Sequence, residues 1–251
     1  MVHFVGAGPG AVDLITVRGR ELLEKADVII YAGSLVNPEL LSYAKPDCEI
    51  HDSAYMHLEE VISVIKQAEK AGRMTVRLHT GDPSIYGAIR EQMDLLKEAG
   101  IEYDVCPGVS SFFGAAASLG CEYTLPDISQ SVIITRMAGR TPVPERESVR
   151  SFAAHRATMI LFLSVGKIEE VVTELIAGGY PKETLAAVVY KATWPEEKIV
   201  RASLSGLAQA VKEAGITKTA LIVVGNVLGD DYALSKLYDK HFSTEFRQGE
   251  P

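Results

Sequence analysis

Short apolar runs alternate with helical periodicity from the first residues. His3–Val5 ends at a glycine, Val28–Tyr31 leads into Ala32-Gly33, and Met74–His79 leads into Thr80-Gly81. Continuous runs this short predict buried strands of a parallel sheet. Between them, the stretch 57–71 repeats Leu58, Val61, Ile62, Ile65 and Ala68 at helical spacing, with Glu59, Glu60, Lys66 and Glu69 on the other face. A second amphipathic stretch over 85–99 carries Ile89, Met93 and Leu96 and stops at Gly100, a left-handed cap. Beyond residue 115 the pattern restarts. Strands are predicted at 131–135, 158–163, 185–190, 199–202 and 220–225, with helices at 168–177 and 204–214. The strands after residue 180 crowd together, which favours hairpins and a mixed sheet. The expectation is an α/β protein of two domains, 1–115 and 116–240, followed by a polar tail at 241–251.

Composition narrows the function. Over 251 residues, 25 Lys and Arg stand against 33 Asp and Glu, a net charge of −8. That balance excludes a general basic face for nucleic acid or an anionic membrane, while leaving room for a local cationic pocket. Three scattered cysteines suit free thiols in a reducing cytosol rather than a disulfide framework or a zinc site. The six histidines have no metal-ligand spacing, so no metal is expected. No apolar stretch is long enough to span a bilayer, and the N-terminus lacks the basic and apolar regions of a signal peptide.

Three turns could carry chemistry, each leaving a strand of the first half. Gly6-Ala7-Gly8-Pro9-Gly10 follows the first strand. It resembles a dinucleotide fingerprint but departs from it twice. Pro9 stands where an amide would be offered to pyrophosphate, and the second strand ends in Tyr31-Ala32-Gly33 with no acid for a ribose hydroxyl. Thr80-Gly81-Asp82-Pro83-Ser84-Ile85-Tyr86-Gly87 and Pro107-Gly108-Val109-Ser110-Ser111 follow later strands. Each also has a purely structural reading: a connecting glycine turn, an Asp82 helix cap, serine caps. Their common place at strand exits lets all three line one crevice. Ser164 lacks the Gly-x-Ser-x-Gly elbow of a hydrolase, and no Gly-x4-Gly-Lys-Ser/Thr phosphate loop is present. Arg136 and Arg140 flank a proline-bearing loop that could receive carboxylates, or could be solvated surface.

Taken in order, residues 6–10, 80–87, 107–111 and the late strand 219–227 resemble the tetrapyrrole methylase family over residues 1 to about 240. The resemblance implies two α/β domains with S-adenosylmethionine in a cleft between them, S-adenosylhomocysteine as product, and a homodimer. It places the cofactor on Pro9, Thr80, Gly81, Asp82, Ile85, Ser110, Ser111, Leu163, Ser164, Ala202 and Ala220. Residues 31–36, 52–54, 138–144 and 189–195 are most similar to the branch that methylates C11 of precorrin-4 or cobalt-precorrin-4 in cobalamin biosynthesis. The sibling uroporphyrinogen III methylases usually carry an acid at the place of Ala32 and a lysine near Asp52. Both are absent here, so no catalytic acid or base is implied. A substrate with many carboxylates meeting a protein of net charge −8 needs local cations, and Arg136, Arg140 and Lys191 are the candidates. The open alternatives are another target carbon within the family, a tetrapyrrole-binding protein without catalysis, and, from the first turn alone, a nicotinamide dehydrogenase.

Overall fold

The computed structural model describes residues Met1–Glu250. The chain forms two compact units, one of residues 1–115 with 191–197 and one of residues 116–190 with 198–251. The segment 191–197 therefore belongs to the first unit although it follows the second unit's strands in sequence.

The first unit is a parallel sheet of β1 (Val2–Gly6), β2 (Val28–Tyr31), β3 (Glu49–Asp52), β4 (Thr75–His79) and β5 (Tyr103–Cys106), in the order β3-β2-β4-β1-β5. Each inner strand is buried on both faces, which is why it reads as an unbroken apolar run. One face packs Val5, Ile29, Val76 and Leu78 against Leu23 of α1 (Val17–Lys25). The other packs Phe4, Ile30, Val61, Ile65 and Leu96, drawn partly from α2 (Leu58–Lys70) and α3 (Ile89–Glu98). Helix α2 starts with a capping box. The His57 imidazole accepts from the Glu60 amide at 3.4 Å, and the Glu60 carboxylate accepts from the His57 amide at 2.9 Å. Helix α4 (Ser111–Leu119) follows β5.

The second unit holds the expected mixed sheet, ordered β6-β7-β10-β8-β9. Its strands are β6 (Val132–Arg136), β7 (Thr158–Phe162), β8 (Leu185–Tyr190), β9 (Lys198–Ser203) and β10 (Ala220–Val224). Strand β6 runs parallel to β7, and the other neighbours are antiparallel. Helices α5 (Val149–Ala153), α6 (Ile168–Gly178) and α7 (Leu204–Glu213) cover a core that includes Met159, Leu161, Val171, Leu175, Val188, Leu207 and Ile222. Of the expected tail 241–251, residue 251 lies outside the described residues. In the rest, Arg247 donates to the carbonyls of Leu237, Asp239 and Phe242 and curls the segment on itself.

Helices α1 and α5 have no counterpart in the sequence expectation, and two further elements differ from it. Strand β3, Glu49–Asp52, is a polar edge strand with no apolar run to betray it. Helix α3 starts at Ile89 rather than near residue 85. The Asp82 carboxylate captures the Ser84 amide at 2.8 Å, and Tyr86 and Ala88 take left-handed φ values of 56° and 49°. Local side-chain capture thus overrides the helical spacing of Ile85 and Ile89. Among the described residues, no helix is long and apolar enough to cross a membrane, and no group of three or more His, Cys, Asp or Glu side chains could hold a metal ion.

Strand β4 carries two buried cationic residue types on one face. The Arg77 guanidinium donates to the Ile30 carbonyl and to the Gln92 side chain, each at 3.1 Å, and Gln92 donates on to the Ala88 carbonyl at 3.0 Å. This chain fixes the far end of the loop that begins at Thr80. Burial lowers Arg77 to about 10. His79 is buried, and its Nε2 lacks a hydrogen-bond partner. Burial, reinforced by Arg77, lowers His79 from 6.5 to about 3.

Unfolding between those two pH values takes up a proton at residue 79. The native state's advantage is therefore fully present above pH 6.5 and shrinks as pH falls toward 3. His79→Gln is expected to remove this component, on the order of 4 kcal/mol across the window. Urea denaturation of both proteins from pH 7 to 3 measures it. Parallel stability curves would contradict the buried neutral imidazole.

Candidate cofactor site

The three turns converge. The Ala7 amide donates to the His79 carbonyl at 2.7 Å, the Gly8 amide to the Gly81 carbonyl at 3.2 Å, and the Gly81 amide back to the Gly8 carbonyl at 2.9 Å. The first and second turns thus form one small bridge beyond the sheet. The third joins through Asp82, whose Oδ2 accepts from the Gly108 amide at 2.8 Å. Oδ1 accepts from the Ser84 amide and hydroxyl. Burial works against the Asp82 charge, but the Ser84 hydroxyl, the Gly108 amide and the Ser84 amide outweigh it and hold the carboxyl below its usual range.

Close approach of backbones explains the glycines. A Cβ on Gly6 would lie 2.6 Å from both the Gly108 Cα and the Gly81 carbonyl oxygen. A Cβ on Gly108 would overlap the same oxygen. Gly81 holds φ at 58°, a left-handed conformation that glycine adopts without strain.

Most polar groups of the first turn are already engaged. The Ala11 amide donates to Thr193 Oγ1 at 3.0 Å. Asn37 Nδ2 donates to the Gly10 carbonyl at 2.9 Å, and Trp194 Nε1 donates to the Pro9 carbonyl at 3.2 Å. Ala7, Gly8 and Ala11 use their amides within the protein, and Pro9 has none. Such a turn cannot cradle a phosphate, which needs several convergent amides. The geometry therefore argues against a dinucleotide site, as the two departures from the fingerprint do in the sequence.

The predicted residues fall into groups. Pro9, Thr80, Gly81, Asp82, Ser110 and Ser111 gather at the converged turns, with Ile85 half-buried in the loop beyond Asp82. Thr80 Oγ1 donates to the Leu35 carbonyl at 3.3 Å and ties the β2 exit to the same place. In the second unit, Ser164 is buried. Its hydroxyl donates to the Phe162 carbonyl at 2.6 Å and accepts from the Met137 amide at 2.8 Å, pinning the exits of β6 and β7 together. Leu163 beside it is 70% exposed with φ 52°. Ala220 starts β10, whose antiparallel register with β7 pairs Ile222 with Leu161 and so brings Ala220 near Leu163. Ala202 pairs with Ala186 at the opposite end of that sheet. It lies about 13 Å from the Ala220 end along the strands, at about 3.3 Å per residue. The hairpin register keeps Ala202 apart from Leu163 and Ala220.

Two of the three expected cations are engaged with their own neighbourhood. Arg136 donates to the carbonyls of Met137, Thr141 and Pro142 at 3.2, 3.3 and 2.8 Å, so it organises its loop. Lys191 lies 4.6 Å over the Trp194 ring and 3.4 Å from a Glu196 carboxylate oxygen. Arg140 is exposed on the Arg136 loop. Asp52 accepts from the Gly33 and Ala54 amides at 3.1 and 2.8 Å. Burial, with Asp52 next, raises the Tyr31 phenol. Asn37, Thr193 and Trp194 had no role in the sequence reading. The only sequence signal was that Thr193 and Trp194 fall within one of the branch-like stretches, 189–195.

The sequence profile of the family described as Tetrapyrrole (Corrin/Porphyrin) Methylases matches residues 1–208. The chain belongs to this family. The cobalt-precorrin-4 C(11)-methyltransferase of Methanocaldococcus jannaschii is 58% identical over 248 residues, covering 98% of this chain and 96% of that protein. The X-ray structure of the cobalamin biosynthetic enzyme cobalt precorrin-4 methyltransferase superposes with a TM-score of 0.89 at 48% identity, covering 91% of this chain and 96% of that one. Uroporphyrin-III C-methyltransferase from Thermus thermophilus, in complex with S-adenosylhomocysteine, superposes at 0.76 with 26% identity over 90% of this chain and 92% of that one.

The convergence of backbones makes a sharp contrast between glycines. Gly6→Ala is expected to cost more than about 3 kcal/mol, because backbone and not a flexible side chain blocks the new methyl. Gly139→Ala, where a Cβ would meet nothing within 4 Å, should leave stability unchanged. Urea midpoints of the two variants check this, and equal midpoints would refute the close approach.

Proposed function

We propose that the chain transfers the methyl group of S-adenosylmethionine to C11 of cobalt-precorrin-4 in cobalamin biosynthesis. The observation that carries this reading is end-to-end similarity, 58% over 98% of the chain, to a relative named for that reaction. The phosphate-free cradle at Gly6, Gly81 and Gly108 supports the cofactor. When bound, S-adenosylmethionine supplies a sulfonium methyl already activated for transfer. The nucleophile is a carbon of an electron-rich macrocycle, so a carbon–carbon bond forms as the sulfur–methyl bond breaks. The protein's task is to hold carbon, methyl and sulfur in line at short range.

The Gly8–Gly81 bridge and the Asp82 clasp preorganise the turns at Pro9, Thr80–Asp82 and Ser110–Ser111 before any ligand arrives. Because Asp82 already accepts from Gly108 and Ser84, its contribution to the cofactor is to place these turns. In the second unit, the exposed Leu163 and the neighbouring Ala220 stand together at the N-terminal end of β10. Arg140 is the cation best disposed to meet a substrate carboxylate, while Arg136 shapes the loop that presents it. In the same reading the chain works as a homodimer in the cytosol. Its three cysteines are free, which suits a reducing compartment.

Incubation with S-adenosylmethionine and either cobalt-loaded or metal-free precorrin-4, followed by mass spectrometry and NMR, tests the proposal. One new methyl at C11 of the cobalt-loaded substrate is expected. A methyl at another carbon, a preference for metal-free substrate, or binding without transfer would overturn it. Arg140→Ala should weaken substrate binding about fivefold, as befits one solvent-exposed ion pair, with folding intact. Arg136→Ala should lower stability as well, because three carbonyls lose their donor. Substrate titrations beside thermal melts separate the two roles.

A further inference from the structure

The first glycine turn is held from outside by the segment 191–197. Three polar groups of that turn, the Pro9 carbonyl, the Gly10 carbonyl and the Ala11 amide, are bound by Trp194, Asn37 and Thr193 respectively. The Trp194 ring presses so closely on Gly10 that any Cβ there would overlap it. Pro9 and Thr193 also both pack closely on Gly114 of α4. A Cβ on Gly114 would lie 2.7 Å from the Pro9 Cβ and 3.2 Å from the Thr193 methyl. The position of Pro9 is therefore dictated by side chains more than 180 residues away in sequence, since Ala11 and Thr193 are separated by 182.

The segment itself adopts costly backbone to do this. Lys191 and Thr193 have φ values of 46° and 69°, and a β-branched residue such as threonine rarely adopts that region. The strained turn is locked by the Glu197 carboxylate, which accepts from the Thr193 amide at 2.6 Å, and by Lys191 over the Trp194 ring. Strain held this firmly beside a ligand-binding turn indicates a requirement on geometry beyond chain connection.

We propose that Thr193 and Trp194 are positioning residues for the cofactor: they set the placement of Pro9–Ala11, and through it the affinity for S-adenosylmethionine. This rests on the cofactor reading above. Neither residue needs to touch the methyl group, because displacing the turn by a fraction of an ångström suffices to degrade binding and alignment.

Trp194 is the chain's only tryptophan, so its fluorescence reports on this contact without interference. The experiment titrates the full chain with S-adenosylhomocysteine, following heat and Trp194 emission together. A saturable emission change with the calorimetric Kd is expected. Trp194→Phe keeps an aromatic ring but loses the N–H donor, and should weaken binding about tenfold, the scale of one hydrogen bond, with the fold intact by circular dichroism. Thr193→Val should weaken binding similarly, and Thr193→Ser, which keeps the acceptor oxygen, should restore it. In turnover, KM for S-adenosylmethionine should rise more than kcat falls. If the variants melt earlier yet bind within twofold of wild type, or if the emission does not respond, the residues are merely structural and the proposal is overturned. If the wild-type chain binds no S-adenosylhomocysteine at all, the cofactor reading itself fails and this assignment falls with it.

Discussion

Everything at the candidate site depends on three backbones meeting where side chains would not fit. Neighbouring strands in a sheet stand about 4.8 Å apart, and loops leaving them normally diverge. Here the exits of β1, β4 and β5 bend together until Gly6, Gly81 and Gly108 touch through main-chain atoms. Main-chain contact is specific because its atoms have no alternative rotamers. It is also fragile, because one methyl group is enough to separate it. Asp82 makes the arrangement cooperative: a single carboxylate bonds its own turn through Ser84 and the neighbouring turn through Gly108.

The convergence also sets the direction in which the amides of the first turn point. Glycine turns after the first strand of an α/β sheet commonly present a fan of amides to phosphate. In this chain those amides are turned inward. They bond His79, Gly81 and Thr193. A strand–glycine-turn–helix pattern can thus point its amides outward or inward, and here they point inward. Pro9 is the visible mark of that difference in sequence.

Much of this was legible in the amino-acid sequence. The buried strands announce themselves because both faces are apolar, and the helices 58–70 and 204–213 because one face is. The three turns could be recognised as glycine-rich strand exits, and their order carried the family resemblance. What sequence could not reveal were partners chosen at long range. Arg136 reads as a cation in search of an anion, yet three carbonyls of its own loop occupy it. Ala202 reads as one more residue beside a ligand, but the β8–β9 register carries it to the far end of the sheet. Strand β3 is polar and at an edge, and the onset of α3 is decided by the Asp82–Ser84 contact rather than by apolar spacing. Each of these turns on which donor finds which acceptor, and periodicity does not record that.

The union of residues 9–11 with 193–194 has a consequence for how the protein is made. A ribosome delivers the glycine turn long before it delivers the tryptophan that completes it. The first 106 residues contain all five strands of the first sheet, so that sheet can pair early. The glycine turn at its end stays unfinished until nearly four-fifths of the chain has emerged. Loop closure across such a separation is slow compared with local pairing. In the nascent chain the sheet can therefore be paired while its first glycine turn still lacks the hydrogen bonds from Thr193 and Trp194.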